Sequence, residues 1–383
     1  MKIYTRIIAF VWCLTSGLSA YAQAQPAKLT GSSVKVTLKE AFKGAFYAGV
    51  AINRRQIQGA DTKGRELIAT QFNSISPEND LKWSSIHPKK EAYNFKPADD
   101  YVDFGLKNRM FIVGHTLVWH QQTPAWVYNS ESGNKLSRDE LLKVMEDHIT
   151  TVVGRYKGKI GGWDVVNEAF NDNGTFRKSD WHDIIGDDFI EKAFEFAHKA
   201  DPKAELYYND YNLYVPKKRE AVVSLIKRLQ AKNIPVTAVG EQGHYGLNSP
   251  AVNQVEASII AFTATGASVN ITELDINVLP NANQQINADL GNTADYQAKY
   301  NPYAAGLPDT IATQLANRYA ALFAMFYKHK AVISRVTFWG LTDGDSWLNG
   351  WPIRGRTNYP LLFDRAYNIK QPVFDAVVKV AGR

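Results

Sequence analysis

Cysteine is nearly absent from this sequence, whose only one among 383 residues is Cys13. That residue lies in an N-terminal stretch with the features of a cleaved signal, so the mature chain has no cysteine. Disulfide bonds, cysteine-ligated metals and thiol catalysis are therefore excluded. A lipid anchor on Cys13 is an alternative interpretation, but the residues before it, Phe-Val-Trp, are bulky where a lipoprotein signal has small ones.

Long hydrophobic runs are also missing beyond the N-terminus. There, two basic residues precede an apolar run over 7–18, and an Ala-x-Ala pattern offers cleavage after Ala22, or after Ala24 by a shift of one register. The run is shorter than the roughly 18–20 residues of a membrane span. The sequence predicts a signal peptide over 1–22 and a secreted or periplasmic mature domain over 23–383, with no membrane attachment after cleavage.

Linkers rich in Pro or Ser, internal repeats and runs of like charge are absent too. The formal net charge is +6 and falls to +4 when Lys2 and Arg6 are removed, and no basic cluster is present. We therefore expect neither nucleic acid nor a membrane surface as a partner. Aromatic residues, by contrast, are plentiful, with 9 Trp, 19 Tyr and 18 Phe, several of them among polar residues. Flat rings beside hydrogen-bonding groups favour binding of sugars.

The mature chain of about 360 residues allows two ordinary domains or one large barrel, and the missing linker favours one domain. Eight short segments have strand character: 46–52, 72–79, 111–120, 162–168, 205–211, 238–245, 268–276 and 335–343. The segments between them repeat apolar residues every three or four positions, as in 138–156 and 217–233, which is typical of amphipathic helices. This alternation predicts a single (β/α)8 TIM barrel of the α/β class, with its active site at the C-terminal ends of the strands.

Carboxylates follow two of the predicted strands. In "WDVVNEAF", Val165 and Val166 are typical of the end of a buried strand, and Glu168 comes directly after them. Burying a polar group without a partner costs on the order of 2–7 kcal/mol even when it is neutral, so Glu168 requires a partner or a function. "ITELD" supplies Glu273 at another strand end. Cleavage of a glycosidic bond needs one carboxyl as acid and one carboxylate as nucleophile or base, although either glutamate alone also fits a salt-bridged strand end.

Seven motifs, taken in order, resemble the glycoside hydrolase family 10 endo-β-1,4-xylanases: SPENDLKW, HTLVWH, WDVVNEAF, YYNDYN, GEQGHY, ITELDI and FWGLTDGDSW. The resemblance extends from about Phe46 to about Val378, which is nearly the whole mature chain. It implies a retaining enzyme that hydrolyses internal β-1,4 bonds of xylan and xylo-oligosaccharides through a covalent glycosyl-enzyme intermediate. It also implies that the enzyme is a monomer and uses no metal and no organic cofactor.

The resemblance also assigns roles around the two carboxylates. It makes Glu168 the general acid/base and Glu273 the nucleophile. His244 is expected to hold the Glu273 carboxylate and to be oriented in turn by Asp275, while Gln242 is expected to reach toward Glu168. A lone histidine is more often structural, and the resemblance is what favours the functional interpretation here.

Further residues are implied to contact the sugar chain. Asn167 should hydrogen-bond the 2-hydroxyl of the sugar under attack, a contact that strengthens in the oxocarbenium-like transition state. The glycone side of the cleft maps onto Glu78, Asn79, Lys82, His115, Trp119, Gln122, Trp339 and Trp347. Tyr211 maps onto the aglycone side, where its ring can stack on a sugar. We interpret Trp83 and Trp163 as packing residues of the barrel instead.

Two stretches depart from the family pattern, and two alternative functions stay open. Glu91 and Ala92 stand where a glycine turn is expected, and an insertion over 281–310 is expected to lie on the rim of the active site. One alternative is the same chemistry on β-1,4-glucan or aryl cellobiosides, for which Trp347 is expected to clash with the hydroxymethyl group of glucose. The other is a catalytically inactive protein that binds polysaccharide.

Overall fold

The computed structural model describes residues 36–281 and 293–382, so the predicted signal peptide, 1–22, and part of the predicted insertion lie outside the described residues. The strands are β1 (Tyr47–Ile52), β2 (Ser74–Pro77), β3 (Phe111–Trp119), β4 (Gly162–Asn167), β5 (Glu205–Asp210), β6 (Ala238–Glu241), β7 (His244–Gly246), β8 (Ser268–Asn277) and β9 (Ile333–Phe338).

Helices lie between the strands and cover the outside of the sheet. They are α1 (Leu38–Ala41), α2 (Arg54–Ile57), α3 (Thr62–Gln71), α4 (Trp83–Ile86), α5 (Lys96–Lys107), α6 (Arg138–Arg155), α7 (Asp180–Ile185), α8 (Phe189–Ala200), α9 (Pro216–Ala231), α10 (Val252–Thr263), α11 (Asp309–Lys328) and α12 (Gln371–Lys379). Short 3₁₀ helices are found at Ala125–Val127, Ala298–Tyr300 and Trp347–Asn349. None of the described helices is long and apolar enough to cross a membrane.

Within the described residues, eight parallel strands close into a barrel. The strands β1 to β6 pair in sequence, β6 pairs with β8, β8 pairs with β9, and β9 pairs back with β1. The remaining strand, β7, pairs only with the C-terminal part of β8, where His244 lies beside Asp275. The predicted (β/α)8 barrel is confirmed.

The strands are buried on both faces because their inner face fills the barrel and their outer face packs against helices. All six residues of β4 are buried. Trp163 packs so closely on Gly114 of β3 that a Cβ atom at Gly114 would lie 2.0 Å from the indole Cε3. Trp83 and Trp163 are each 1% exposed, as expected of packing residues.

The structure corrects two of the predicted strand boundaries. The segment predicted over 238–245 is divided into β6 and β7 at Gly243, whose φ is 88°. The segment predicted over 335–343 is the strand 333–338, and Gly340 with a φ of 115° lies in the loop that follows. Both glycines adopt a left-handed backbone that a strand cannot continue through, and the apolar pattern alone did not reveal it.

Part of the predicted insertion contacts the long loop after β9. The backbone N–H of Ala294 donates to the carbonyl of Pro352 at 2.9 Å. Asn301 Oδ1 accepts from the backbone N–H of Thr357 at 2.9 Å. The same loop carries Trp347, and the position of the insertion on the rim of the active site stays a prediction.

Candidate active site

A cavity of about 190 Å³ opens at the C-terminal ends of the barrel strands. It is lined by Glu78, Asn79, Lys82, His115, Trp119, Gln122, Asn167, Glu168, Gln242, His244, Glu273, Trp339 and Trp347. Every one of these residues is among the predicted site residues. Of the predicted residues, only Asp275 and Tyr211 do not line this cavity.

Glu168 follows β4 directly and has an unusual backbone, with a φ of 58°. Left-handed conformations cost non-glycine residues about 1–3 kcal/mol and persist where the surrounding structure enforces them. Its carboxyl group is buried, and it accepts two hydrogen bonds, from Gln242 Nε2 to Oε1 at 2.9 Å and from Trp119 Nε1 to Oε2 at 2.8 Å. Burial, and after it the negative charge of Asp210, raises the pKa of Glu168 above its ordinary value. The protonated form of Glu168 is therefore favoured more than that of an exposed glutamate.

Glu273 lies within β8, and its carboxylate is held on both oxygens. Asn209 Nδ2 donates to Oε1 at 2.8 Å, and His244 Nε2 lies 3.2 Å from Oε2. Burial acts to raise the pKa of Glu273, but the hydrogen bond from His244 and the positive charges of His115 and His244 prevail, so this pKa lies below its usual value. Glu273 is therefore ionised under conditions in which Glu168 keeps its proton.

His244 is charged because it lies between two carboxylates. Its Nδ1 is 3.1 Å from Asp275 Oδ1, and Trp347 Nε1 donates to the other oxygen of Asp275 at 2.7 Å. Burial disfavours the cation, yet Asp275 and Glu273 together raise the pKa of His244 to about 10. Asp275 thus acts from behind His244, which explains why it does not line the cavity.

Asn209, at the end of β5, connects the two halves of the site and was not among the predicted residues. Its Nδ2 donates to Glu273 and also to Asn167 Oδ1, at 2.9 Å, while its Oδ1 accepts from Thr272 at 2.6 Å. Gln242 Nε2 is 3.3 Å from the same Asn167 oxygen. The signal in the sequence was the polar Asn209 inside the strand motif YYNDYN, from which only Tyr211 was predicted to be a site residue.

The residues predicted to line the glycone side form a compact polar group in the cavity. Asn79 Oδ1 accepts from Lys82 Nζ and from Gln122 Nε2, each at 3.2 Å. The Lys82 ammonium lies 4.8 Å from the centre of the Trp119 ring. Burial raises the pKa of Glu78 and lowers that of Lys82. These donors and acceptors, beside an indole face, match the hydroxyls and apolar faces of a sugar.

Histidine and tryptophan complete the cavity wall. His115 Nδ1 lies 2.9 Å from Asp164 Oδ2, and the Trp339 ring meets the His115 ring edge-on at 5.3 Å between centroids. The ring of Trp347 stacks on that of Trp351 with 4.7 Å between centroids and 16° between planes. Trp347 is thus fixed by a ring contact on one side and by its hydrogen bond to a carboxylate.

Tyr211 directly follows β5 and is 4% exposed. Lys218 Nζ is 3.8 Å from the centre of its ring, and Arg177 donates to its hydroxyl oxygen. Stacking of this ring on a sugar stays a prediction. No group of three or more His, Cys, Asp or Glu side chains among the described residues is arranged to hold a metal ion.

A barrel whose mouth holds two carboxyl groups with opposite pKa shifts, walled by tryptophan and hydrogen-bonding groups, has the features of a glycoside hydrolase. Residues 37–380 match the model of glycosyl hydrolase family 10. The chain belongs to that family, as the sequence motifs predicted.

Known relatives agree with this membership. The chain is 45% identical over 363 residues to endo-1,4-β-xylanase A of Xylanibacter ruminicola, covering 95% of each chain. The structure is similar to that of a GH10 endoxylanase retrieved from a sugarcane soil metagenome, with a TM-score of 0.87, 44% identity and coverage of 90% of this chain and 99% of that one. It is also similar to a mutant structure in complex with xylotriose, with a TM-score of 0.80, 32% identity and coverage of 89% and 99%.

Proposed function

We propose that this chain is a retaining endo-1,4-β-xylanase in which Glu168 is the general acid/base and Glu273 is the nucleophile. The observation that carries the assignment of roles is the contrast between the two carboxyl groups of one cavity. Glu168 contacts neutral donors and has a raised pKa, whereas Glu273 contacts His244 and has a lowered pKa. Two titratable groups with opposite shifts are what an acid and a nucleophile require.

In the first step, the Glu273 carboxylate attacks the anomeric carbon as the bond from that carbon to the leaving oxygen breaks. The proton of Glu168 passes to the departing oxygen, so the aglycone leaves as a neutral alcohol. The product is an ester between the sugar and Glu273. Asn209 and His244, which hold the two oxygens of the nucleophile, keep its carboxylate in the attacking orientation.

In the second step, Glu168 is a carboxylate and takes a proton from an incoming water molecule. The water oxygen bonds to the anomeric carbon, and the ester bond to Glu273 breaks. Two successive displacements retain the β configuration, and both glutamates return to their starting protonation states. Gln242 and Trp119 are neutral donors and suit both protonation states of Glu168. They stabilise the carboxylate by hydrogen bonds, and they carry no charge that would drive the proton off the acid form.

Asn167 is suited to hold the 2-hydroxyl of the sugar under attack. Its Oδ1 accepts from Asn209 and Gln242, which fixes the amide group and leaves its NH₂ group as the donor toward the cavity. The 2-hydroxyl lies beside the anomeric carbon that gains charge, so a hydrogen bond there is stronger in the transition state than in the bound substrate.

The choice of xylan as substrate rests on the relatives. Endo-1,4-β-xylanases share 38–45% identity with this chain over most of its length. The fixed Trp347 ring supports xylan as the substrate, since a rigid wall near the bound sugar can exclude the hydroxymethyl group that glucose has and xylose lacks.

We further propose that the enzyme is secreted or periplasmic and monomeric, as expected from its N-terminal sequence and from the family.

Product analysis on linear xylan, arabinoxylan, glucuronoxylan and cellulose, run side by side, tests the function. We expect internal cleavage of the xylans and little release of reducing sugar from cellulose. NMR of the earliest product tests the mechanism, because retention releases the β-anomer first and the α-anomer only through mutarotation. No reducing sugar from any substrate would favour a non-catalytic binding protein, and an initial α signal would refute retention.

A further inference from the structure

The chain directly after Glu168 folds back as a short hairpin and returns an arginine to the acid. Phe170 and Phe176 form an antiparallel bridge, and the backbone N–H of Arg177 donates to the carbonyl of Ala169 at 2.7 Å. The Arg177 side chain then donates from Nε to the backbone carbonyl of Glu168 at 2.9 Å. The hairpin therefore places the Arg177 guanidinium against the backbone carbonyl of Glu168.

The backbone of Glu168 needs such support because its φ of 58° is a strained value for this residue type. Its N–H donates to the carbonyl of Asn209 at 2.9 Å, and its carbonyl accepts from Arg177. The peptide groups on both sides of the Glu168 Cα are thus fixed. The direction of the side chain from that Cα decides whether its proton reaches a leaving oxygen.

The other end of the Arg177 guanidinium is anchored to the neighbouring loop. Its Nη2 donates to the hydroxyl of Tyr211, whose ring also contacts the buried Lys218 ammonium at 3.8 Å from the ring centre. Lys218 in turn pairs with Asp210, at the end of β5, at 2.7 Å. Arg177 therefore links the loop after β5, through Tyr211, to the backbone carbonyl of Glu168.

We propose that Arg177 is a positioning residue for Glu168: it fixes the left-handed backbone of the acid against the β5 loop and places a positive charge beside its carboxyl group. This inference rests on the proposed function. It extends that function to a residue that contacts neither the substrate cavity nor the nucleophile and that the sequence motifs did not indicate.

The charges around Glu168 give Arg177 a measurable effect on proton affinity. The negative groups that face Glu168 are Asp210 and Glu273, and both act to raise its pKa. The positive groups are Lys82 and Arg177. Burial acts to lower the pKa of both and the Glu168 charge opposes it, so that the pKa of Lys82 stays lowered and that of Arg177 is raised. The interaction is mutual, so removing the Arg177 charge should raise the pKa of Glu168 further.

The experiment compares two substrates that differ in their need for a proton. Xylohexaose has a poor leaving group that must be protonated, whereas the dinitrophenolate of 2,4-dinitrophenyl β-xylobioside departs without a proton. For both substrates, kcat/KM reports the first chemical step. We expect Arg177→Met to lower kcat/KM about 10- to 100-fold on xylohexaose and less than about 3-fold on the aryl substrate. The basic limb of the xylohexaose profile should move upward by about half a pH unit to one unit.

Two further variants separate charge from geometry and from general loop damage. Arg177→Lys keeps the cation without the two-armed contact, so its basic limb should stay at the wild-type pH while part of the loss on xylohexaose persists. If Arg177→Met does not fold, the ratio of kcat/KM on the two substrates is measured for Arg177→Lys instead. Arg219→Met is the matched control, because Arg219 Nη1 contacts the carbonyl of Tyr214 at 3.4 Å behind the same loop and does not touch Glu168. Its substrate ratio should equal that of the wild type.

Equal losses on both substrates with an unmoved basic limb would mean that Arg177 is merely structural, and unchanged xylohexaose hydrolysis would refute the inference outright. The proposed function fails separately, in the wild type. If the wild-type enzyme hydrolyses cello-oligosaccharides and not xylohexaose, the substrate assignment is wrong, and the same comparison of Arg177 variants is made with cellohexaose and the aryl cellobioside.

Discussion

His244 Nε2 lies 3.2 Å from Glu273 Oε2, and this contact separates the chemistry of the two carboxyl groups in the cavity. With Asp275 behind it, His244 has a pKa of about 10 and presents a full positive charge to Glu273 at neutral pH. Glu168 has no such cation on its carboxyl oxygens, which accept from an amide and an indole. The two glutamates of one cavity therefore have opposite shifts in pKa, lowered for Glu273 and raised for Glu168.

The first prediction concerns replacement of each glutamate. Glu273→Ala should remove nearly all turnover, because no glycosyl-enzyme can form. Glu168→Ala should spare the first step for aryl substrates with good leaving groups and then stall at hydrolysis of the ester. A small anion such as azide should restore turnover of the Glu168 variant, because it attacks the anomeric carbon without a base and displaces Glu273, with a β-glycosyl azide as product.

Steady-state and burst kinetics on an activated and a natural substrate check these roles. Asn73→Ala is a control for general damage to the barrel, because Asn73 Oδ1 accepts from the backbone N–H of Ala48 at 2.9 Å and Asn73 does not line the cavity. Equal losses for both glutamate variants on both substrates, with no rescue by azide, would contradict the assignment.

The second prediction is a bell-shaped dependence of kcat/KM on pH. The acid limb reports Glu273, which must be ionised, and the basic limb reports Glu168, which must be protonated. His244→Gln removes the cation that lowers the pKa of Glu273, so that pKa rises and the acid limb moves to higher pH. Asp275→Asn should shift it in the same direction by less, since it weakens the charge on His244. An acid limb that moves to lower pH in either variant would be inconsistent with this account.

Much of the site followed from the sequence because its residues occupy fixed places in a barrel. Each motif ends a strand, and the C-terminal ends of barrel strands meet at one mouth. Resemblance to a family then supplied the roles, which spacing alone left open. The cavity-lining residues could therefore be named before any contact between them was known.

Contacts that depend on three-dimensional pairing were missed. Asn209 bridges Asn167 and Glu273 only because β5 lies beside β4 in the closed sheet. Arg177 reaches Glu168 only because the hairpin after β4 turns back on itself, and the sequence of the hairpin does not indicate where its end will point. Trp119 was predicted to bind sugar, and its bond to Glu168 depends on the pairing of β3 with β4.

The third prediction concerns selectivity at Trp347. Its ring is fixed by Trp351 and by Asp275, so it cannot move aside for a larger sugar. Trp347→Ala should raise the ratio of activity on aryl cellobioside to that on aryl xylobioside by about 10-fold or more, since one extra group in a tight pocket is worth about 1–3 kcal/mol. Trp351→Phe keeps a stacked ring behind Trp347 and is the control. An unchanged ratio in the Ala variant would place the determinant of selectivity elsewhere.

The last prediction concerns stability and involves a glutamate outside the active site. Glu241, at the end of β6, is 1% exposed, and one of its oxygens accepts from the Tyr245 hydroxyl at 2.6 Å. Burial raises its pKa from 4.5 to about 7. Between these values the folded protein binds a proton that the unfolded chain does not, so the free energy of unfolding falls as the pH rises through this window.

Glu241→Gln should therefore stabilise the protein above pH 7, by at most about 3 kcal/mol, and make little difference near pH 4.5. Glutamine keeps an acceptor for Tyr245 and carries no charge to bury. Urea unfolding of both proteins at pH 5 and pH 8.5 measures the effect. Glu256→Gln is a control with the opposite shift in pKa, because hydrogen-bonded ion pairs with Lys328 and His329 lower the pKa of Glu256. Removing the Glu256 charge should therefore not stabilise the protein at alkaline pH. A Glu241→Gln variant less stable than the wild type at pH 8.5 would show that the buried carboxylate is compensated after all.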